Sequence, residues 1–327
     1  MKRVKFGTSD LMVSPMGLGC MSMSGCYGAQ DDDECVATIH AALDGGVNLI
    51  DTSSNYGKGH NHQLIARAIK GKRERFVIHS KLGTVRPDGE TQVAGSRQHI
   101  RNSTEGALKR LGIDCLDAIC ISRVDPHIPV EDSVGFMAEM VKEGKTRNIG
   151  ISKGLTPELL DRAWKVHPVA SMQDEYSLFV RVPEEQLLGA ARSHGMAFMA
   201  FAPLGRGILA GLFGSRADIP AGDERLEDAR YAPGNFEANA KMVKALADMA
   251  AEKGVAVSAL VLAWLMHQPG QVIPIPSSKS RRHLEQNIKA LDLALSAEDI
   301  SRINAICPKG AAGDSNHAQN RAGAAAQ

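Results

Sequence analysis

A chain of 327 residues, 43% of them hydrophobic, is long enough to bury a sizeable core as one large domain or two smaller ones. Its 38 basic and 37 acidic residues nearly cancel, so it lacks the positive field that nucleic acid or an anionic membrane selects, and a small-molecule partner is expected. Six cysteines (Cys20, Cys26, Cys35, Cys115, Cys120, Cys307) form no Cys-x-x-Cys pair, which argues against a structural zinc site or a dithiol redox centre and for reduced core thiols. In chain order, the opening VKFGTSDLMVS (4–14) alternates about a Gly-Thr-Ser-Asp turn and predicts a hairpin over one end of the fold. Eight short apolar runs follow: 15–19 (PMGLG), 47–51 (VNLID), 76–81 (FVIHSK), 117–122 (DAICIS), 147–152 (RNIGIS), 169–173 (VASMQ), 197–203 (AFMAFAP) and 272–276 (VIPIP). Apolar throughout rather than alternating, they read as strands buried on both faces of a parallel sheet.

Helical segments lie between them. Residues 31–46 open on Asp31–Asp33 and close on Gly45–Gly46, the run from 96 ends at Gly112, the run from 130 ends at Gly144, and 156–166 starts with a Thr cap and a Pro. Most strand-to-strand intervals approach the roughly 30 residues of a β-α-β unit. Eight such units predict a single (β/α)8 TIM barrel over residues 1–309, an α/β fold with an N-terminal β-hairpin and long loops at the C-terminal face. The seventh interval is much longer, and residues 203–236 within it read as a functional lid. Residues 310–327 carry nothing apolar larger than Ala and are expected to be a disordered tail. A doubly wound sheet fits less well, because GLGCMS and GKGHNH both lack the third glycine of a dinucleotide fingerprint. With no apolar run long enough for a signal peptide or a membrane helix, a cytoplasmic location is expected.

Chemistry in such a barrel sits where the strands end at their C-terminal side. Asp51 closes the second strand, Tyr56 lies in the loop beyond it, and Lys81 closes the third. An ammonium beside a phenol stabilises the phenolate and lowers its pKa, and a carboxylate can hold that ammonium in place. Each residue also has an ordinary reading: Asp51 before Thr-Ser-Ser as a turn cap, Tyr56 as a loop aromatic, Lys81 as a solvated cation. Their joint placement on adjacent strand ends favours the functional one.

Seven stretches in order, GLGCMSMSGCYG (17–28), DTSSNYGKGHN (51–61), VIHSKLG (77–83), RVDPHIPVEDSVGFMAEMVKEGKTRNIGIS (123–152), QDEYSL (173–178), FAPLGRGIL (201–209) and VIPIPSSKSRRHLEQN (272–287), resemble the aldo-keto reductases over nearly the whole chain. The likeness is greatest to a bacterial branch that includes pyridoxal reductases and resembles potassium-channel β-subunits. It implies NADPH-dependent reduction of a carbonyl, with Tyr56 donating the proton, Lys81 lowering its pKa and Asp51 anchoring Lys81. The family's fourth catalytic residue, a His at the end of the fourth strand, is replaced by Ser122 in ISRVDP. Losing one preorganised donor costs about 100- to 1,000-fold in rate. A serine hydroxyl reaches less far, directly or through a bridging water. The smaller side chain implies room for a bulky or cyclic ketone, of steroid, sugar or natural-product type, in preference to an aldehyde. The alternative is an NADPH-binding regulatory or sensor subunit with little turnover.

By the same resemblance, Gly19, Met21 and Asp51 border the cofactor, Ser152 and Gln173 hold its carboxamide, and Phe201 stacks on the nicotinamide. Lys153 follows Ser152 where members carry Asn, Glu or Arg. Pro203, Leu204, Gly205, Gly207 and Leu209 line the pyrophosphate, where bare glycine backbone permits close approach. Ser277, Ser278 and Lys279, joined by Arg281 or Arg282, suit the 2′-phosphate at a helix start, and Gln286 and Asn287 the adenine. Met23, Tyr27, Arg123 and His127 are expected around the substrate. No metal is expected: His60, His62, His79, His127 and His283 lack zinc-type spacing, and His60 and His62 read as loop residues, solvated or at the pocket mouth. A homo-oligomer is possible, and neither a nucleic-acid nor a membrane partner is expected.

Overall fold

The computed structural model describes residues 2–83, 95–308 and 310–313. Strands β1 (Val4–Lys5) and β2 (Met12–Val13) form the expected antiparallel hairpin, with Val4 opposite Val13. Its turn needs Gly7, whose φ is +56° and whose missing Cβ would lie 1.9 Å from the Ala170 carbonyl oxygen. Behind the turn, Phe6 is wholly buried against Leu49, Val77, Ala118, Ala170 and Ile273, sealing the N-terminal end of the larger sheet.

That sheet comprises β3 (Leu18–Gly19), β4 (Leu49–Ser53), β5 (Val77–Lys81), β6 (Leu116–Ile121), β7 (Thr146–Ser152), β8 (Ser171–Glu175), β9 (Ala197–Phe201) and β10 (Val272–Pro274). All eight are parallel and pair in sequence order. Each matches a run predicted as a strand. The sheet closes on itself: Gly19 bridges in parallel to Ser277, and the N–H groups of Gly17 and Gly19 donate to the Pro274 and Pro276 carbonyls at 3.0 Å. This is a (β/α)8 barrel.

Ten α-helices are described, and most lie between strands: α1 (Asp32–Asp44), α2 (His60–Ile69), α3 (Arg97–Leu111), α4 (Val130–Lys142), α5 (Pro157–Val166), α6 (Leu187–Ser193), α7 (Asn235–Glu252), α8 (Val257–Met266), α9 (Arg281–Ile288) and α10 (Ala297–Ile306). Their starts follow the capping logic of the sequence. Asp31 accepts from the N–H groups of Asp33 and Glu34, Ser96 from His99, and Thr156 from Leu159 ahead of Pro157. Helix α8 is apolar all round because it is buried almost end to end. Among the described residues no single helix is long and apolar enough to cross a membrane.

Two sequence expectations change. Residues 310–313, placed in the disordered tail, are docked: the Ala311 N–H donates to the Phe179 carbonyl, and Asn239 brackets Ala312 with two hydrogen bonds. The rest of that segment, 314–327, lies outside the described residues. The stretch read as a lid is a chain of short 3₁₀ turns fastened from within. Arg230, fully buried, donates to Glu175 of β8 and to Asp228, and the Tyr231 hydroxyl donates to the carbonyls of Gly205 and Arg206.

Candidate active site

Alternate residues of each strand face the barrel interior. Its floor is apolar (Leu49, Val77, Ala118, Ala197, Ile273), and its next layer is polar. There the Asp51 carboxylate, 2% exposed, is held from three sides. Oδ1 accepts from the Lys81 ammonium, while Oδ2 lies 2.9 Å from His79 Nδ1 and 2.9 Å from Gln173 Nε2. Asp51 is not the last residue of its strand, since β4 runs on to Ser53. It lies opposite His79 in the ladder, as Ser53 lies opposite Lys81. Tyr56 comes next because the chain turns sharply at Gly57, Lys58 and Gly59, all at positive φ. This brings the phenol ring within 5.0 Å of Lys81 Nζ.

Burial pushes the Asp51 carboxyl up, but the charge of Lys81 and the hydrogen bond from His79 win and hold it at about 2. Burial lowers the Lys81 ammonium's pKa, and Asp51 followed by Tyr56 more than reverse that, so the net direction is upward. For Tyr56 the balance runs against the sequence expectation. Burial outweighs the pull of Lys81, and the phenol sits at about 12. It is therefore protonated throughout the neutral range.

Ser122 follows β6, and its Oγ accepts from the Gly83 N–H at 3.1 Å, which leaves its own hydrogen free to donate. Ser152 Oγ, at the end of β7, is buried without a hydrogen-bond partner. Beside it Lys153, at φ +50°, holds its ammonium 5.0 Å from the centroid of the Phe201 ring. Burial first, then Arg123 and Lys81, lower that ammonium's pKa to about 8. Gln173 spends its amide nitrogen on Asp51. Of the residues expected around a substrate, Arg123 is half-buried and His127 exposed, its N–H on Asp125. Tyr27 is covered by the Arg225 guanidinium, 5.0 Å from its ring centroid. Met23 is fully buried in the core between barrel and helices.

On the other side of the mouth, Gly205 and Gly207 take positive φ, as a close backbone approach requires. Pro203 is buried and Leu204 partly so. Leu209 has its side chain in the core and its N–H bonded to the Leu204 carbonyl. Gly19 packs so closely that a Cβ would lie 2.7 Å from the Ile275 carbonyl, and Met21 opens a short turn beside it. Ser277 Oγ donates to the Gly19 carbonyl, and Ser278 Oγ to that of Ser280, which caps α9. Lys279 Nζ donates to the carbonyls of Tyr27, Gly28 and Ala29 at 2.8, 3.0 and 2.7 Å. Arg281 forms an ion pair with Glu34, whereas Arg282 is exposed and makes no ion pair among the described residues. Gln286 is exposed on α9 and Asn287 is buried.

His60 and His62 are corrected too, since the left-handed turn at 57–59 starts α2 at His60. His60 bonds Ser24 and Asp32. His62 is wholly buried between Ser80 Oγ, 3.0 Å from Nε2, and Arg110, which donates to Nδ1 at 3.2 Å.

The family model described as the aldo/keto reductase family matches residues 15–307. The chain belongs to the aldo/keto reductase family. It is similar to the glycerol dehydrogenase of Gluconobacter oxydans at 28% identity, covering 93% of this chain and 94% of that one, with a TM-score of 0.85. An aldo-keto reductase of Klebsiella pneumoniae in complex with NADPH matches at 28% identity over 94% and 96% of the two chains, TM-score 0.75. One of Bacillus halodurans in its holo form matches at 25% identity over 97% and 99%, TM-score 0.78. In this aldo/keto reductase, sequence reasoning missed the place of His79 inside the barrel and the buried Arg230 behind the mouth. A signal for the first was present, because residues two apart on a strand share a face, so an inward Lys81 implies an inward His79.

Proposed function

We propose that this aldo/keto reductase is an NADP-dependent oxidoreductase that converts an aldehyde or, in preference, a bulky or cyclic ketone into an alcohol. The observation that carries the reading is the line from the buried Asp51 through the buried Lys81 to the half-buried Tyr56. A dinucleotide fits the residues around it. Ser152 presents a buried hydroxyl without a partner among the described residues, and Arg282 adds an exposed cation in the first turn of the Ser280-capped α9, beside Lys279, whose ammonium is bonded to the carbonyls of Tyr27, Gly28 and Ala29 and would have to exchange them for a phosphate. Ser152 and Phe201 would hold the nicotinamide end, and Lys279 with Arg282 the 2′-phosphate. When bound, the cofactor supplies the hydride.

The chain's own residues manage the proton. Tyr56, protonated at neutral pH, donates its O–H to the carbonyl oxygen as negative charge develops there. Lys81 stabilises the phenolate left behind, and Asp51 keeps the ammonium charged and in place. Ser122, steadied by the Gly83 N–H, offers a second hydroxyl in place of an imidazole. Its small size supports a wider pocket and hence a bulky ketone.

Tyr56→Phe is the test. With NADPH and a panel of ketones, it should lower kcat at least about 100-fold while NADPH still binds. A variant reducing carbonyls as fast as the parent would remove the reading. A parent that binds NADPH tightly and turns over no carbonyl would instead favour a sensor.

A further inference from the structure

His79 is the one imidazole inside the polar layer of the barrel among the described residues, and the proposed proton chemistry does not use it. It is fully buried on β5, directly opposite Asp51 in the parallel ladder. Its Nδ1 lies 2.9 Å from Asp51 Oδ2 and its Nε2 3.4 Å from Ser171 Oγ on β8. The Phe6 ring, from the hairpin that seals the floor, packs T-shaped against its ring with centroids 6.1 Å apart. The space is made for it at Gly150 of β7, where a Cβ would lie 2.5 Å from Ser171 Oγ and 3.3 Å from His79 Nε2.

An ionised Asp51 can only accept, so the hydrogen between the two residues is on Nδ1. In the neutral ring that leaves Nε2 as an acceptor for the Ser171 hydroxyl. The order is fixed along the whole line: Ser171 Oγ–H to Nε2, Nδ1–H to Oδ2, and Lys81 to Oδ1. We infer that His79 is a positioning residue of the reaction, its tautomer set by Asp51 and its ring steadied from the other side by Ser171, so that Asp51 presents Oδ1 to Lys81 and holds the ammonium against Tyr56. The logic is that of a histidine oriented by a second polar group, run in reverse: here the imidazole orients the carboxylate. Gln173 donates to the same Oδ2, so removing His79 loosens the carboxylate without freeing it.

This inference rests on the proposed role of Tyr56, and the experiment separates the two. In the apo protein, nitrogen-15 NMR of the imidazole should show the proton on Nδ1, and Ser171→Ala should shift the Nε2 resonance. Neither readout needs turnover. In His79→Leu, which keeps the bulk, kcat for carbonyl reduction should fall about 10- to 100-fold, as is usual for orienting residues. The basic limb of its pH profile should move upward, because a less well placed ammonium lowers the phenol's pKa less. NADPH affinity should stay within about threefold of the parent. In His79→Asn, whose amide nitrogen stands where Nδ1 stood, most of the lost rate should return. A proton found on Nε2 overturns the inference even if His79→Leu fails to fold. So does a His79→Leu enzyme that is less heat-stable but has unchanged kcat and pH profile. Should Tyr56→Phe retain activity while the NMR result holds, the role of Tyr56 fails and the hydrogen-bond order stands.

Discussion

His62 lies one layer outside the site, on α2 against the back of Ser80, and its surroundings prescribe a stability change with pH. Arg110 can only donate, so it forces a bare Nδ1 and puts the proton on Nε2, toward Ser80. A second proton would have to enter at Nδ1, facing a guanidinium. Burial, then Arg110 and Lys81, lower the pKa from 6.5 to about 3. For a base with a depressed folded value, stability is fully present above 6.5 and is lost as the pH falls toward 3, because only the unfolded chain takes up the proton. Each pH unit in that window is worth about 1.4 kcal/mol, so moving from neutral pH to pH 5 costs about 2 kcal/mol. Other groups titrate in the same range, and His62→Met separates them. Urea unfolding of parent and variant at about pH 7.5 and pH 5 gives two stability gaps, and the gap should narrow by about 2 kcal/mol on acidification. A gap that stays constant would refute the buried, neutral imidazole.

The cofactor side yields a further set of expectations. Lys279→Met should weaken NADPH about 10- to 100-fold, the worth of one charge-assisted contact, and NADH less than about threefold; equal losses in a fluorescence titration would exclude a phosphate role. Because Arg281 is engaged by Glu34, Arg282→Ala should weaken NADPH and Arg281→Ala should change it little; the reverse order would move the phosphate contact to Arg281. Ser122→His should lower the turnover of bulky ketones relative to small aldehydes at least about tenfold, and an unchanged ratio in a substrate panel would remove the wider-pocket argument. Arg230→Met strands the buried carboxylate of Glu175 and leaves Asp228 paired with Arg206 alone, and should destabilise the fold by about 3–5 kcal/mol, with new protease cleavage between 206 and 234; a loss below about 1 kcal/mol would mean the network is not what fastens that segment.

The barrel was legible because its strands are buried on both faces, so each stands out as an unbroken apolar run, and closure at Gly17–Gly19 then needs no further signal. Asp51, Tyr56 and Lys81 were legible because polar residues at the end of such runs have few other reasons to be there. Side-chain direction was harder to read. Met23 and Leu209 look alike on paper whether they face a pocket or the core, and both face the core. His60 and His62 were misplaced because Lys58 adopts the left-handed region usually left to glycine, so the helix begins earlier than the composition suggests. Arg230 was illegible for a different reason: its partner Glu175 comes from a distant strand, and a charge in a long loop reads as solvated until that strand is beside it. The pKa of Tyr56 could not be read because it depends on how far burial outweighs Lys81, a balance set by packing.

The three groups around the Asp51 carboxyl also tie the proposed proton donation to the closing of the barrel. Asp51 comes from β4, His79 and Lys81 from β5, and Gln173 from β8, on the far side of the ring. With β8 away, the carboxylate loses one uncharged donor while still buried by its neighbours and paired with Lys81, a state about 1.5–3 kcal/mol above the complete one. The floor adds to this, because Phe6 contacts both the apolar layer and the His79 ring, so the hairpin that excludes water below also steadies the first polar residue above it. A partly closed barrel therefore leaves Lys81 without a fixed anchor and Tyr56 without a fixed cation. The same burial that makes the carboxylate costly when incomplete makes its orientation nearly invariant when complete. Preorganised proton donation requires that invariance, and a surface pair of the same residues, screened by water and free to rotate, would not provide it.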